Sequence, residues 1–152
     1  MPVTYRPLTR SDLPALAAAF GDWIRRTNVM HFEPDSCTLG AFGGETPVGY
    51  ISTYPKAMPG LNRMEAYIDV IGVAETYRRQ GIAAAMLTAT ENWARAQGCR
   101  RIRAWSTVDK TEAIAMWRAL GFCLHPVYSG RPGRRRLSGY DVTKRLKVRG
   151  NK

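Results

Sequence analysis

The chain has 152 residues, the size of one domain that buries its own hydrophobic core, and a formal net charge of +11. The positive excess lies at one end, because residues 131–152 hold nine Lys or Arg and one acid, whereas residues 1–130 hold 14 basic and 11 acidic residues. No signal peptide or membrane-spanning apolar run is present, and three cysteines and two histidines without metal-ligand spacing predict a cytoplasmic protein with reduced thiols and no metal site.

The first part of the chain predicts a strand over residues 3–8 followed by a helix. Thr9 or Ser11 supplies the helix cap, and Pro14 is tolerated in the first turn. The apolar face of this helix consists of Leu13, Leu16, Ala17 and Phe20. Gly21 interrupts the pattern, and residues 23–26 begin a second helical segment.

Three strands follow. Residues 38–42 and 47–54 flank Gly43-Gly44-Glu45-Thr46, which is typical of a hairpin turn. Residues 56–62 contain Pro59-Gly60 and indicate a loop. Residues 64–73 are mostly apolar and β-branched and predict a buried central strand.

The second half alternates between helices and strands. A helix from Gly81 to Gly98 precedes a strand over residues 100–106, and a further helix begins at Asp109 or Thr111 and stops at Gly121. Residues 122–129 and 137–146 predict a final pair of strands. The order β-α-(α)-β-β-β-α-β-α-β-β predicts a layered α+β fold.

The junction between the central strand and the following helix has the character of a phosphate site. A helix start presents unpaired N–H groups and partial positive charge, and Gly81 lets a ligand approach the backbone closely. Arg78 and Arg79 add charge and hydrogen-bond donors, and Ala83 and Ala84 keep the first turn narrow. A surface turn with solvated arginines is the alternative interpretation.

Two stretches resemble the GNAT superfamily of acetyl-CoA-dependent N-acetyltransferases. Arg78-Arg79-Gln80-Gly81-Ile82-Ala83 matches its Arg/Gln-x-x-Gly-x-Gly/Ala motif, and residues 113–122 resemble its Ala-x-x-x-Tyr-x-x-x-Gly-Phe stretch. The resemblance covers residues 3–146. It implies the GNAT fold, a mixed and mostly antiparallel sheet flanked by helices, with one domain over residues 1–147 and a basic tail over 148–152.

The resemblance also implies acetyl-CoA as co-substrate. The backbone N–H of Ile71 would donate to the thioester carbonyl oxygen, residues 71–73 would pair with the pantetheine arm, and N–H groups of residues 79–84 would hold the pyrophosphate. Lys110 stands where the family often has asparagine and would meet a CoA phosphate. The expected cofactor-binding residues are Ile71, Gly72, Val73, Arg78, Arg79, Gln80, Gly81, Ile82, Ala83, Ala84, Lys110 and Trp117.

Candidate bases lie on the central strand, where alternation places Glu65, Tyr67 and Asp69 on one face. Asp69 is the first candidate for the base that takes the amine proton, and Glu65 is the second. Either carboxylate needs a raised pKa or a water relay to act near neutral pH. The alternative is that each carboxylate simply pairs with an arginine.

Trp117 departs from the family pattern, which has a tyrosine that protonates the leaving thiolate. An indole N–H donates a hydrogen bond but gives up no proton. The acid is therefore water or another group such as Tyr128, or the thiolate leaves without assistance.

The acceptor site is predicted only broadly. The family builds one wall of this site after the first helix, which makes Trp23, His31, Phe32 and Glu33 candidates for substrate contact together with Tyr67. Ordinary core or surface roles are the alternative for each residue. The basic stretch 130–136 is either a solvated hairpin tip or a contact for an acidic acceptor, RNA or a ribosomal surface.

The sequence therefore predicts an N-acetyltransferase that acts on a primary amine of a small molecule, peptide or protein. A non-catalytic acetyl-CoA-binding module is one alternative, and Trp117 is its only support. A basic nucleic-acid-binding protein is another, although no RNA- or DNA-binding motif is visible. The resemblance adds a homodimer as a possible assembly, since dimers are common in the superfamily.

Overall fold

A computed structural model describes residues 2–147, which form one seven-stranded sheet. The strands are β1 (Val3–Pro7), β2 (Cys37–Gly43), β3 (Thr46–Ala57), β4 (Met64–Val73), β5 (Arg101–Thr107), β6 (Cys123–Ser129) and β7 (Arg136–Arg145). Their spatial order is β1-β2-β3-β4-β5-β7-β6, and every neighbouring pair is antiparallel except β4 and β5. The predicted mixed, mostly antiparallel sheet is confirmed.

Helices cover both faces of the sheet. They are α1 (Leu13–Phe20), α2 (Trp23–Arg26), α3 (Ile82–Ala96) and α4 (Thr111–Ala119). Helices α3 and α4 bury Met86, Leu87 and Trp117 against one face, in the larger of two hydrophobic clusters. Helices α1 and α2 bury Leu16 and Ile24 against the other face.

The predicted element order is confirmed, with three differences in detail. A 3-10 turn over Arg10–Asp12 precedes α1, and the Thr9 N–H donates to the Asp12 carboxylate at its start. The second helical segment is a single turn. Strand β3 continues to Ala57, so the predicted loop over 56–62 begins later. The predicted tail over 148–152 lies outside the described residues.

The sheet opens between β4 and β5. Their parallel pairing joins only Ala66 to Ile102 and Tyr67 to Arg103, so within the described chain residues 68–73 have no strand on that side. On the other side of β4, Ser52 pairs with Val70 and Thr53 with Ile68, which leaves Asp69 as the extra residue of a β-bulge. A bulge bends its strand and increases its twist. We call the opening between residues 68–73 of β4 and residues 104–107 of β5 the fork.

Candidate active site

Two residues of β4 direct their backbone polar groups into the fork. The Ala74 N–H donates to the Val48 carbonyl at 2.8 Å and so points toward β3. Because successive backbone N–H groups of a strand point to opposite sides, those of Val73 and Ile71 point into the fork. The Val73 carbonyl points to the same side as the Val73 N–H, and it accepts a hydrogen bond from Arg78 Nε at 3.3 Å. The Ile71 N–H therefore points into the fork, and its role as donor to the thioester carbonyl stays a prediction.

Gly72 differs from its two neighbours. By the same alternation its N–H and carbonyl point toward β3, so its backbone offers no hydrogen bond to a ligand in the fork. A Cβ at this position would lie 2.3 Å from the Tyr50 hydroxyl oxygen. The absence of a side chain at Gly72 thus makes room for Tyr50.

The start of α3 presents a row of free donors. Within residues 2–147, the N–H groups of residues 79–84 have no backbone partner, and the first bond of this turn runs from the Ala85 N–H to the Gly81 carbonyl at 3.0 Å. Arg79 and Gly81 both adopt positive φ, at 64° and 77°. No atom lies within 4 Å of a Cβ built on Gly81. An open, glycine-bearing helix start of this kind suits an anionic phosphate group.

Basic side chains border the same end of the fork. Arg78 pairs through Nη1 with Glu112 of α4 at 3.0 Å, and Lys110 lies directly before α4. Trp117 lies deeper, with 3% of its surface exposed and its ring 4.8 Å from that of Phe122. Its indole is therefore part of the hydrophobic core, and its predicted cofactor contact stays a prediction.

Aromatic side chains line the sheet face on the α1–α2 side of the fork. Tyr67 of β4 contacts Tyr54 of β3 with a ring separation of 5.6 Å, and the Arg103 guanidinium lies 4.7 Å from the Tyr67 ring. Burial and the nearby charge of Asp69 raise the pKa of Tyr54, and burial raises the pKa of Tyr67. Both phenols therefore keep their protons at neutral pH and remain available as hydrogen-bond donors.

Asp69 and Glu65 have different partners. The Asp69 Oδ2 lies 2.8 Å from Nε2 of His31, a residue from the loop before β2. Glu65 is fully buried, with Arg101 bonded to one oxygen at 2.6 and 2.9 Å and Arg103 bonded to the other at 2.9 Å. For Glu65 the structure therefore contains the arginine pairing that the sequence left open as the alternative to a base.

The remaining acceptor candidates lie farther apart. Trp23 is 39% exposed, donates through Nε1 to the Phe20 carbonyl at 3.0 Å, and packs edge-on to Tyr50. Glu33 is exposed and lines a cavity of about 290 Å³ together with His31 and Phe32. The Asp69–His31 contact itself was missed at the sequence level, because it joins residues 38 positions apart that share no motif.

Residues 2–147 contain neither a membrane-spanning helix nor a cluster of metal ligands. No helix there is long and apolar enough to cross a membrane, and no three His, Cys, Asp or Glu side chains come together to hold a metal ion. The four arginines of the β6–β7 hairpin, at positions 131, 134, 135 and 136, are exposed, and none has an acidic partner in this part of the chain.

The chain matches the sequence model of one protein family, and several solved structures have similar folds. Residues 4–122 match the sequence model of the acetyltransferase (GNAT) family. No curated protein matches the chain.

Solved structures with similar folds span nearly the whole chain. NAA60 of Arabidopsis thaliana, in complex with a bisubstrate analogue, is 18% identical with a TM-score of 0.74, covering 97% of this chain and 99% of its own. The PaiA N-acetyltransferase of Thermoplasma acidophilum, in complex with coenzyme A, is 18% identical with a TM-score of 0.70, covering 95% and 99%. An aminoglycoside 6′-N-acetyltransferase of Acinetobacter baumannii is 21% identical with a TM-score of 0.69, covering 86% and 98%.

Proposed function

The chain belongs to the acetyltransferase (GNAT) family, and we propose that it transfers the acetyl group of acetyl-CoA directly to a primary amine of a small molecule, peptide or protein. Family membership makes acetyl-CoA the co-substrate. The observation that carries the proposal is that free backbone donors occur together at one place, on β4 in the fork and at the start of α3. Proteins with similar folds include a ribosomal-protein alanine N-acetyltransferase and an aminoglycoside N-acetyltransferase, so the fold supports an amine acceptor without selecting one.

The residues at this place fit an extended thioester with a pyrophosphate. Ile71 and Val73 would pair with the pantetheine arm as an added strand does, and the N–H groups of residues 79–84 would hold the phosphates. Arg78 and Lys110 would add charge beside them. Acetyl-CoA supplies an activated acyl carbon, and the Ile71 N–H would donate to the carbonyl oxygen as that oxygen gains negative charge.

The leaving thiolate has no protein acid in this proposal. Trp117 gives up no proton, and Tyr128 lies on β6, which is separated from β5 by β7 and so stands about 10 Å from the β5 side of the fork. Water supplies the proton, or the thiolate leaves unassisted. The lack of a tyrosine acid at this position also fits the non-catalytic acetyl-CoA-binding alternative, which a turnover assay separates from the enzyme.

The first test is isothermal titration of acetyl-CoA into the wild-type protein and the Gly81→Glu variant. We expect the wild type to bind and the variant to lose at least about tenfold in affinity, because a carboxylate at the helix start repels the pyrophosphate. Gly60→Glu is the matched control, since Gly60 has a similar φ of 72°, equally open space around its Cβ position, and lies in the β3–β4 loop.

The outcomes separate the candidate functions. Loss of binding by Gly81→Glu alone supports the cofactor site, and no binding by the wild type would overturn it. Release of CoA thiol with a panel of free-N-terminal tetrapeptides, aliphatic amines and aromatic amines then distinguishes an enzyme from a binding module. A salt-sensitive shift of RNA, without acetyl-CoA binding, would favour the nucleic-acid alternative.

A further inference from the structure

We propose that His31 takes the proton from the acceptor amine, and that Asp69 is a positioning residue that orients its imidazole. The inference rests on the proposed acetyl transfer. The contact that carries it joins His31 Nε2 to Asp69 Oδ2 at 2.8 Å, with 20% of the histidine side chain and 30% of the aspartate side chain exposed. The pair is therefore partly shielded from solvent yet accessible to a substrate.

The main chain of His31 is held on both sides. Its N–H donates to the Ser52 hydroxyl at 2.8 Å, and its carbonyl accepts hydrogen bonds from the hydroxyls of Thr38 and Ser36. Ser52 is fully buried and also bonds to Thr38 at 2.8 Å. These hydrogen bonds fix the backbone from which the imidazole extends, as a positioned proton acceptor requires.

The imidazole is fixed as well, and only one of its nitrogens is engaged. The Tyr54 ring lies 4.4 Å from the imidazole, and Asp69 accepts the hydrogen on Nε2. Within residues 2–147, the Nδ1 atom of His31 has no hydrogen-bond partner. This nitrogen is not buried, so solvent reaches it. With its hydrogen on Nε2, the neutral ring presents a lone pair at Nδ1.

The bulge places this pair beside the fork. Asp69 is the extra residue of β4 and lies two positions before Ile71, roughly 7 Å along the strand. A bulge re-aims one side chain without ending the strand, and here that side chain contacts His31. An imidazole is also a better proton acceptor near neutral pH than a carboxylate, which assigns the acceptor role to His31.

The charges around the pair suit an ammonium group. Asp69 of β4 and Tyr54 of β3 face the imidazole directly, with Tyr67, Glu65 and Arg103 behind them. Glu65 is buried and paired with Arg101 and Arg103. The Lys56 and Arg103 cations already lie over the Tyr67 ring. The groups beside the imidazole that meet an incoming ammonium group are therefore the Asp69 carboxylate and the Tyr54 ring.

The acetyl transfer moves two protons from the ammonium group, one to His31 and one to the thiolate sulfur. One proton of the ammonium group passes to Nδ1 of His31 and then to solvent. The nitrogen lone pair forms the bond to the acetyl carbon as the carbon–sulfur bond breaks, and the second N–H proton ends on the thiolate sulfur. The products are the acetylated amine, CoA thiol and one released proton.

The test compares His31→Gln with Asp69→Asn, using acetyl-CoA and the best acceptor of the amine panel. We expect His31→Gln to lower kcat by about 100-fold or more and to remove the acid limb of the kcat/KM profile against pH. Asp69→Asn is expected to lower kcat less and to keep an acid limb at a changed position. Acetyl-CoA affinity stays unchanged in both variants.

His125→Gln is the matched control, because this second histidine lies exposed on β6 and, within residues 2–147, its side chain bonds only to the Thr143 hydroxyl. In ¹⁵N spectra of the two histidines, we expect His31 to carry its hydrogen on Nε2, and we expect Asp69→Asn to weaken that preference. An acid limb that survives His31→Gln but disappears in Asp69→Asn would overturn the assignment in favour of Asp69. Absence of turnover by the wild type on the whole panel would instead overturn the proposed function.

Discussion

Glu65 is a negative charge in a fully buried position at the closed end of the fork. Burying a carboxylate costs several kcal/mol unless partners replace its hydration. Arg101 and Arg103 supply three hydrogen bonds to it, and Arg103 also reaches Asp141 at 3.2 Å. The ion pairs thus tie β4 to β5 beside the two residue pairs at the closed end of the fork.

Glu65→Gln should therefore destabilise the fold. We expect a loss of about 2–3 kcal/mol in the free energy of unfolding, since two arginines would face a neutral amide, and the partial exposure of Arg101 relieves some of the cost. Urea denaturation measures this loss. Glu112→Gln is the control, because its side chain is 83% exposed and its pairing with Arg78 contributes little. Equal stability of the two variants would contradict the role assigned to Glu65.

Local pattern could place Glu65 and Asp69 on one strand face but could not separate their roles. What distinguishes them is the partner that each meets, two arginines on β5 for Glu65 and a loop histidine for Asp69. Those partners are 36 or more positions away in sequence. The arginine motif before α3 is different, since its donors belong to consecutive residues and its chemistry can be predicted locally.

At the scale of elements, a short network ties the end of β1 to the turn before α1. The Arg6 guanidinium donates two hydrogen bonds to Asp12, at 2.8 and 2.9 Å, and the Thr9 N–H donates to the same carboxylate. The hydrogen bonds from Arg6 lower the pKa of Asp12 from 3.8 to about 2. The carboxylate thereby holds the strand and the first turn together.

This shift makes part of the stability dependent on pH. Because the folded pKa lies below the unfolded value, Asp12 stabilises the fold above about pH 4 and loses that contribution as the pH falls through 2. We expect the Asp12 charge to contribute about 1 kcal/mol to the free energy of unfolding, since Arg6 is half exposed and solvent screens the pair. Urea denaturation at pH 5 and pH 2.5 measures the difference in the free energy of unfolding between wild type and Asp12→Asn. This difference should be less than half as large at pH 2.5 as at pH 5.

Asp35→Asn serves as the comparison for this measurement, because Asp35 is exposed and has no ion pair within the described residues. Its stability difference from wild type should be small at both pH values. If the stability difference for Asp12→Asn stays constant with pH, the charge of the carboxylate does not contribute to the stability of the fold.

The elements themselves could be predicted because each depends on local periodicity, but the fork and the bulge could not. Alternation and 3.6-residue spacing indicated the strands and the larger helices in order. The bulge at Asp69 inserts one residue into β4, so the core-facing positions change from Ala66 and Ile68 to Ile71 and Val73. A continuous apolar run conceals that change, since both faces of β4 carry apolar residues.

At the scale of the whole molecule, the arginines of the body and those of the β6–β7 hairpin differ in whether they have acidic partners. Arginines of the body pair with acids in the fold, as Arg6, Arg101 and Arg103 do. The β6–β7 hairpin has four exposed arginines and, within residues 2–147, no acid paired with them. Through β7 and β5 this hairpin belongs to the same sheet as Arg103 and Tyr67, and its turn lies beyond the Thr107 end of β5.

Such a surface should favour acceptors whose amine is followed by acidic groups, because complementary charge raises the rate of encounter. We expect a variant that combines Arg131→Ser, Arg134→Ser, Arg135→Ser and Arg136→Ser to lower kcat/KM for acidic tetrapeptides by about fivefold at low salt. The assays use saturating acetyl-CoA, because the cofactor is itself an anion that the same arginines attract.

Salt provides the internal control for this effect. Raising the salt concentration to about 0.5 M shortens the Debye length to a few ångströms, so wild type and variant should then converge on acidic peptides. Neutral tetrapeptides should show no difference at either salt concentration. An equal loss on acidic and neutral peptides would mean that the arginines act through the shape of the hairpin, and no loss on either would leave them as a solvated tip.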